Sequence, residues 1–445
     1  MSVSIDDARL RAINDKYRIF NQLIDRESME ADDSSSFTFS AKDNLCTREF
    51  QARAGSKILE GYRPPFDATP VRKLREAGGL LLGKTNMDEF GFGTFSTNSG
   101  FDIPLNPFDT GRACGGSSGG AAAAAALIEG HVALGVSTGG SISAPASFCG
   151  VFGLTPTYGR VSRYGLIDYG NSLDKVGLLS RSMGDIKMFL PVISGSDPKD
   201  PTSCTQPRIQ ISRRKIKRLA LPKEALANIS PEVESTFRYA LEKMSLELGI
   251  AVHEVSMPSL RFAMPAYYIL ATTEASTNLA RYCGMRFGVP EKDVSQHFND
   301  FFSGVRSECF GQEAKRRILL GTFCRMVGFR DKYYLKSLAV RQLITKEYRS
   351  VFDEHDLIVT PTMPFVAPKF DEIAKMRPLE MYSADFLTIP PNLTGLPHLS
   401  APCGYVGPMP VGMQFVAPHW DESGLISMGE EWERVFQLKT PEVMQ

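Results

Sequence analysis

Ile5, Leu10, Ile13, Tyr17, Phe20 and Ile24 recur at roughly helical intervals, and Asp32-Asp33-Ser34-Ser35-Ser36 then breaks the pattern. The spacing predicts one N-terminal helix and a polar spacer ending at residue 36. Residues 37–41 alternate as a short strand that delivers Lys42. From Thr69, the positions of Val71, Leu74 and Ala77 predict a helix stopped by Gly78-Gly79, and Leu80-Leu81-Leu82 follows as a buried strand. Residues 185 to about 290 hold longer helical patterns around a strand at 218–221, and residues 310–352 are strongly helical. Short strands are expected at 357–362, 398–402 and 411–416. Helix and strand alternate throughout, no repeat recurs and no linker divides the chain. The pattern predicts an α/β fold in one large domain, with a sheet covered by helices.

Composition changes this picture little. Of 445 residues, 43% are hydrophobic and 22% charged, as in an ordinary globular protein, and length alone would allow about three domains. Fifty Lys+Arg balance 50 Asp+Glu, which argues against a broad electrostatic footprint for nucleic acid or anionic membrane. The longest apolar run, residues 121–128, falls far short of the roughly 20 residues that span a bilayer. Eight cysteines lie singly with no CxxC pair, so reduced thiols are expected rather than a disulfide framework. The six histidines form no HxH or HExxH, so no metal site has a local signature; a Ser-His-Asp site assembled from distant residues stays open.

Two motifs have bland readings that outweigh the sharp ones. Gly78-Gly79-Leu80-Leu81-Leu82-Gly83-Lys84-Thr85 satisfies GxxxxGK[ST], but a helix precedes it, three leucines fill the loop and a poor helix follows, the reverse of what phosphate binding needs. Arg213-Arg214-Lys215-Ile216-Lys217-Arg218 reads as a solvated approach to a strand, rather than a nuclear signal or RNA contact. The segment Gly115-Gly116-Ser117-Ser118-Gly119-Gly120 has the composition of a flexible linker, yet it runs into six alanines. A second turn, Thr138-Gly139-Gly140-Ser141, follows 18 residues after Gly120. Glycines beside serines let backbone amides approach a reacting carbonyl, which points to a serine nucleophile in a backbone-built oxyanion site; the linker reading competes with it.

These segments, with Ala41-Lys42-Asp43-Asn44 upstream and Phe152-Gly153-Leu154-Thr155-Pro156-Thr157 downstream, resemble the amidase signature family. Lys42 to Ser117 is 75 residues and Ser117 to Ser141 is 24, as the family's catalytic set requires. Within the family the chain is most similar to the branch formed by the A-type subunits of the glutamyl-tRNA(Gln) amidotransferases, over residues 37 to about 440. Gly83-Lys84-Thr85-Asn86-Met87-Asp88-Glu89-Phe90, Glu274-Ala275-Ser276-Thr277-Asn278 and Lys315-Arg316-Arg317-Ile318-Leu319-Leu320-Gly321-Thr322-Phe323 carry that likeness.

The resemblance implies a single amidase domain over 37–445, a central mixed sheet with helices on both faces, behind the short helix and spacer of 1–36. It implies that Ser141 is the nucleophile, that Ser117, entered through a cis peptide, passes its proton to Lys42, and that Ser118 supports the loop. Lys42 must be neutral to act as a base, which requires desolvation. The amides of Thr138, Gly139, Gly140 and Ser141 would form the oxyanion hole. The donor amide would be glutamine, with Arg317 on its carboxylate, Asp385 on its ammonium and Tyr268 lining the pocket. Tyr267 lies beside Tyr268 as an alternative, and a structural Arg317–Asp385 ion pair is the bland one.

The chain would need no metal or cofactor of its own. Ammonia would pass to a B-type kinase and transamidase subunit, which uses ATP and Mg on Glu-tRNA(Gln) and holds the tRNA. Two departures stand out. Ser137 and Ser143 occupy positions where the family has Asp and Arg, a charge pair whose joint loss does less harm than losing one member. Only 41 residues precede Lys42. Such shortening resembles the fungal mitochondrial form and implies a small accessory subunit over the N-terminal side. A matrix location is the expectation and the cytoplasm the alternative, since Asp6, Asp7 and Asp15 spoil a typical presequence. Competing readings are a free-standing amidase for small or lipid amides and a catalytically silent scaffold.

Overall fold

A computed structural model describes residues 6–25, 35–205, 209, 214–288 and 297–441. Among these, eleven strands form one mixed sheet: β1 (Phe20–Leu23), β2 (Phe37–Lys42), β3 (Gly79–Thr85), β4 (His131–Ser137), β5 (Phe152–Thr155), β6 (Lys175–Ser180), β7 (Arg218–Pro222), β8 (Ala251–Val255), β9 (Leu357–Pro361), β10 (His398–Val406) and β11 (Met409–Val416). Their spatial order is β1-β3-β2-β4-β6-β5-β10-β11-β9-β7-β8. β2 runs parallel to both β3 and β4, and β7 parallel to β8 and β9; the other neighbours are antiparallel.

Successive strand residues point to opposite faces, and this alternation divides the core. Leu81, Leu178, Leu219, Leu357 and Phe415 pack into one layer with helices α2 (Thr69–Glu76), α5 (Met183–Ile193), α6 (Pro231–Leu248) and α14 (Glu422–Val435). Their neighbours Leu82 and Leu179 face the other way, against α1 (Asp7–Tyr17), α3 (Gly119–Leu127) and α4 (Ser143–Cys149). Ala220, Ile358 and Val416 face the same side further along. There they meet α7 (Ala263–Asn278), α8 (Phe298–Cys309), α9 (Gln312–Arg325) and α10 (Lys336–Phe352). Short helices α11 (Phe370–Ile373), α12 (Pro378–Ser383) and α13 (Ile389–Leu393) lead to β10. The chain is thus an α/β fold with a central mixed sheet between helical layers.

One expected element differs. The N-terminal helix stops at Tyr17, where Arg18 turns left-handed, and Phe20–Leu23 is a strand paired with β3. Phe20 and Ile24 are four residues apart, a spacing common to both periods, and the Asn14 side chain captures the Phe20 N–H at 2.7 Å. Ile5 and the spacer residues Asp32 to Ser34 lie outside the described residues. Gly79–Thr85 is a strand rather than a phosphate loop, with Lys84 buried and its ammonium on the Leu45 carbonyl. In the basic cluster Arg213 lies outside the described residues, while Arg214 pairs with Asp356 at 3.2 Å and with Asp421. All eight cysteines are free thiols, and no described helix is long and apolar enough to cross a membrane.

Topology places the site at one edge. β2 and β4 are parallel neighbours, so their C-terminal ends set Lys42 beside the turn that follows Ser137. Helix α9 enters from the second layer because Gly321 lets its backbone approach α7: a Cβ there would overlap the Thr272 carbonyl oxygen. Gly321→Ala is expected to destabilise the fold by about 1–3 kcal/mol. Denaturant unfolding measures this, and an unchanged midpoint would show that the two helices have slack.

Candidate active site

Lys42 ends β2 with its amine buried. Its Nζ donates to Ser117 Oγ at 2.7 Å and to the Val136 carbonyl at 3.0 Å, and it has no ion-pair partner among the described residues. Burial lowers its pKa to about 7, against the pull of the Asp88 and Asp174 charges. At that value the neutral amine is well populated, and the 2.7 Å contact can then run in reverse, with Ser117 Oγ–H donating to Nζ.

Ser117 follows a cis Gly116–Ser117 peptide. The turn needs its glycines: Gly115 has φ +79°, and a Cβ on Gly116 would occupy the place of the Asp88 carboxylate. That carboxylate accepts from Ser96 N at 3.0 Å and Asn98 N at 2.8 Å, while burial raises its pKa to about 6. Ser118 stitches the loops together. Its Oγ donates to the Val136 carbonyl at 3.2 Å, and its N–H donates to the Ser141 carbonyl at 3.2 Å. The alanine run begins α3 immediately afterwards, where small side chains let it lie fully buried.

Residues 138–141 link β4 to α4, and the carbonyls of the first three are engaged elsewhere. Thr138 O accepts from Asn392 Nδ2, Gly139 O from Ser137 Oγ at 3.0 Å, and Gly140 O from Ala144 N at 2.8 Å. Among the described residues no acceptor takes the N–H groups of Gly139, Gly140 or Ser141, and the Ser141 hydroxyl has no partner. A turn with its carbonyls tied back and its amides free can receive an oxyanion beside the Ser141 hydroxyl. No histidine hydrogen-bonds to Ser117 or Ser141 among the described residues, which removes the Ser-His-Asp alternative there.

Two supports for this turn carry no signal in the local sequence. Asp174 accepts from Thr138 Oγ1 at 2.7 Å, Tyr169 N at 2.9 Å and Gly170 N at 3.0 Å, and burial pushes its pKa up to about 7. Asn392 donates to the carbonyls of Thr138 and, at 3.1 Å, Leu173. Both arrive from distant elements, so no motif announces them. Ser143 Oγ is buried without a partner, in the place where the family has an arginine.

Arg317 and Asp385 flank the turn but do not pair with each other. Arg317 Nε donates to Glu313 Oε1 at 2.7 Å and Nη1 to Tyr169 Oη at 2.6 Å. The bland Arg317–Asp385 pair therefore does not form, because Glu313 stands one helical turn away. That i, i+4 spacing was a readable signal. Four rings enclose the guanidinium, those of Phe92, Tyr169, Tyr268 and Tyr382, at 5.1–5.7 Å. Asp385 Oδ2 accepts from Thr94 Oγ1 at 2.8 Å, while buried Oδ1 has no partner and would lie 3.1 Å from a Cβ on Gly140. Burial raises the Asp385 pKa to about 7, opposed by Thr94 and the Arg317 charge. Both tyrosines of the ambiguous pair reach the site. Tyr268 stacks on Tyr382 at 4.3 Å, and the Tyr267 hydroxyl would lie 2.9 Å from a Cβ on Gly139.

The site thus combines a base of lowered pKa, two serines, free amides, one cation and one unsatisfied carboxylate oxygen. Among the described residues no cluster of three or more His, Cys, Asp or Glu side chains is arranged to hold a metal ion. The rate of Ser141 labelling by a small sulfonyl fluoride is expected to rise with pH around a midpoint near 7, as Lys42 loses its proton. Lys42→Ala should remove both the rate and its pH dependence; labelling that is flat with pH in the unsubstituted chain would contradict the geometry.

Residues 37–426 match the model of the amidase family. The chain is 46% identical over 402 residues to the A-type subunit of glutamyl-tRNA(Gln) amidotransferase from Moorella thermoacetica, covering 88% of this chain and 81% of that one. The crystal structure of the A-type subunit of glutamyl-tRNA(Gln) amidotransferase from Thermotoga maritima superposes with a TM-score of 0.82 at 32% identity, covering 98% of this chain and 94% of that one. Native peptide amidase from Stenotrophomonas maltophilia superposes at 0.78 with 27% identity, covering 98% and 94%.

Proposed function

The chain belongs to the amidase signature family, and on that premise we propose that it is the glutamine-hydrolysing subunit of a tRNA-dependent amidotransferase. The observation that carries this reading is the pairing of a caged arginine with an unsatisfied carboxylate oxygen across the free amides of the turn. One cation and one anion set apart beside an amide-cleaving turn suit an α-amino acid whose side chain ends in a primary amide. Glutamine is that molecule, and the relatives of matching length carry the corresponding name.

In this reading neutral Lys42 accepts the Ser117 proton as Ser117 accepts that of Ser141, and Ser141 Oγ attacks the side-chain carbonyl of glutamine. The amides of Thr138, Gly139, Gly140 and Ser141 hold the oxyanion, each donor contributing roughly 3–4 kcal/mol to the transition state. Collapse breaks the C–N bond, the relayed proton leaves with ammonia, and a γ-glutamyl ester remains on Ser141. Water then attacks the ester, releases glutamate and restores the serine. Arg317 takes the α-carboxylate on the guanidinium edge left free by Glu313 and Tyr169, Asp385 takes the α-ammonium, and Tyr268 closes the pocket.

Ammonia passes to a B-type transamidase and kinase subunit, which uses ATP and Mg to convert Glu-tRNA(Gln) to Gln-tRNA(Gln) and carries the tRNA contacts. A small accessory subunit covers the N-terminal side, and the mitochondrial matrix is the proposed location.

The likeness to a peptide amidase supports a second reading, a free-standing amidase for neutral amides. The two diverge at Arg317. In the assembled complex, Arg317→Ala is expected to raise KM for glutamine about 10- to 100-fold while leaving turnover of a neutral acyl amide within a few-fold. Equal loss on both substrates would favour the second reading. Glutamine turnover should also fall as pH drops below about 7, where Asp385 gains a proton and Lys42 is charged. Steady-state kinetics between pH 5.5 and 8.5 (roughly the span of both titrations) test this, and a rate that rises towards acid would contradict it.

A further inference from the structure

Helix α9 is apolar on two sides. Ala314, Gly321 and Cys324 are buried on its inner side with Arg317, but Leu319, Leu320 and Phe323 face solvent, and the turn to α10 adds Met326 and Val327. Leu319 is 71% exposed and Val327 fully exposed, so this is an uncovered patch and not an isolated side chain. The patch is built rigidly. Phe323, Phe329 and Tyr333 form a ring cluster with centroids 4.4–6.2 Å apart, and a π-helical turn, Asp331–Leu335, fixes the apex. Its surroundings are basic. Residues 312–336 hold seven Lys or Arg against only Glu313 and Asp331, in a chain that is neutral overall.

We propose that this hairpin apex, the end of α9 with the turn into α10, is the docking surface for the transamidase partner, through a partner face of apolar side chains ringed by carboxylates. The inference rests on the amidotransferase reading. Exposed aromatics, methionine and arginines around an aliphatic centre are the composition of a protein interface. Aliphatic side chains at the centre give phosphates nothing to bind, which disfavours RNA. A second copy is disfavoured because a two-fold pairing of this patch would bring two cationic rims together. Seated there, the partner lies on the outer side of the helix whose inner side carries Arg317, so it touches the wall of the glutamine site.

The test uses the full chain co-purified with its transamidase and accessory subunits, with dissociation constants measured by biolayer interferometry. Leu319→Glu/Val327→Glu changes only exposed side chains and should weaken the complex at least ~30-fold. Leu246→Glu on α6, equally exposed but elsewhere, should leave it unchanged. Arg330→Glu/Lys332→Glu should weaken it and make its loss with salt shallower than in the unsubstituted chain. Matching thermal unfolding midpoints establish that the variants are folded. Affinity retained in Leu319→Glu/Val327→Glu overturns the surface while leaving the amidotransferase reading intact. No complex with the unsubstituted chain overturns both. Self-association of the chain alone that the double variant abolishes, or tRNA binding by the chain alone that the charge reversals abolish, assigns the patch to a second copy or to RNA and also overturns the proposal.

Discussion

A primary amine held in a dry interior, without a carboxylate to neutralise it, is the constraint around which the site is arranged. Lys42 reaches only Ser117 Oγ and the Val136 carbonyl, and burial brings its pKa to about 7. A salt-bridged lysine would stay charged and serve as an anchor; this one can give up its proton near neutrality. The requirement propagates outward. β2 and β4 must be adjacent and parallel to set Lys42 against Val136, and α3 must be built from alanine so that the turn at Ser117 can be covered. Glycines at 115 and 116 leave room for Pro145 and the Asp88 carboxylate.

The oxyanion turn answers the same demand for a site without strong fixed charges close by. Where the family has Asp and Arg, this chain has Ser137 and Ser143, and the turn is held by hydrogen bonds from Asp174, Asn392 and Ser137 instead. Removing a charge pair together leaves no buried ion uncompensated. The orphan Ser143 hydroxyl marks the cost. What emerges is a turn whose carbonyls are secured at three points and whose amides face the reacting centre.

Much of this was legible in the chain, for identifiable reasons. Strands with buried apolar runs and helices stopped by glycine declared themselves by local period, and the glycine-serine turns declared close backbone approach. The false phosphate loop was rejected on element order, and Gly79–Thr85 is indeed a strand. The N-terminal helix was overextended because a four-residue spacing fits strand and helix alike, and the Asn14 side chain decides between them. Asp174 and Asn392 were invisible because they act across 36 and 254 residues of sequence. Glu313 was visible and overlooked, and it changes Arg317 from a bidentate fork into a guanidinium with one open edge.

The central claim is that Ser141 carries the acyl group of glutamine. Mixing the assembled complex with glutamine, quenching in acid within milliseconds and mapping the modified peptide by mass spectrometry tests it directly. The account predicts a γ-glutamyl ester on Ser141, formed faster than it is hydrolysed and absent when Lys42 is replaced by alanine. An ester on Ser117, or glutamine hydrolysis with no covalent adduct on either serine, would contradict it.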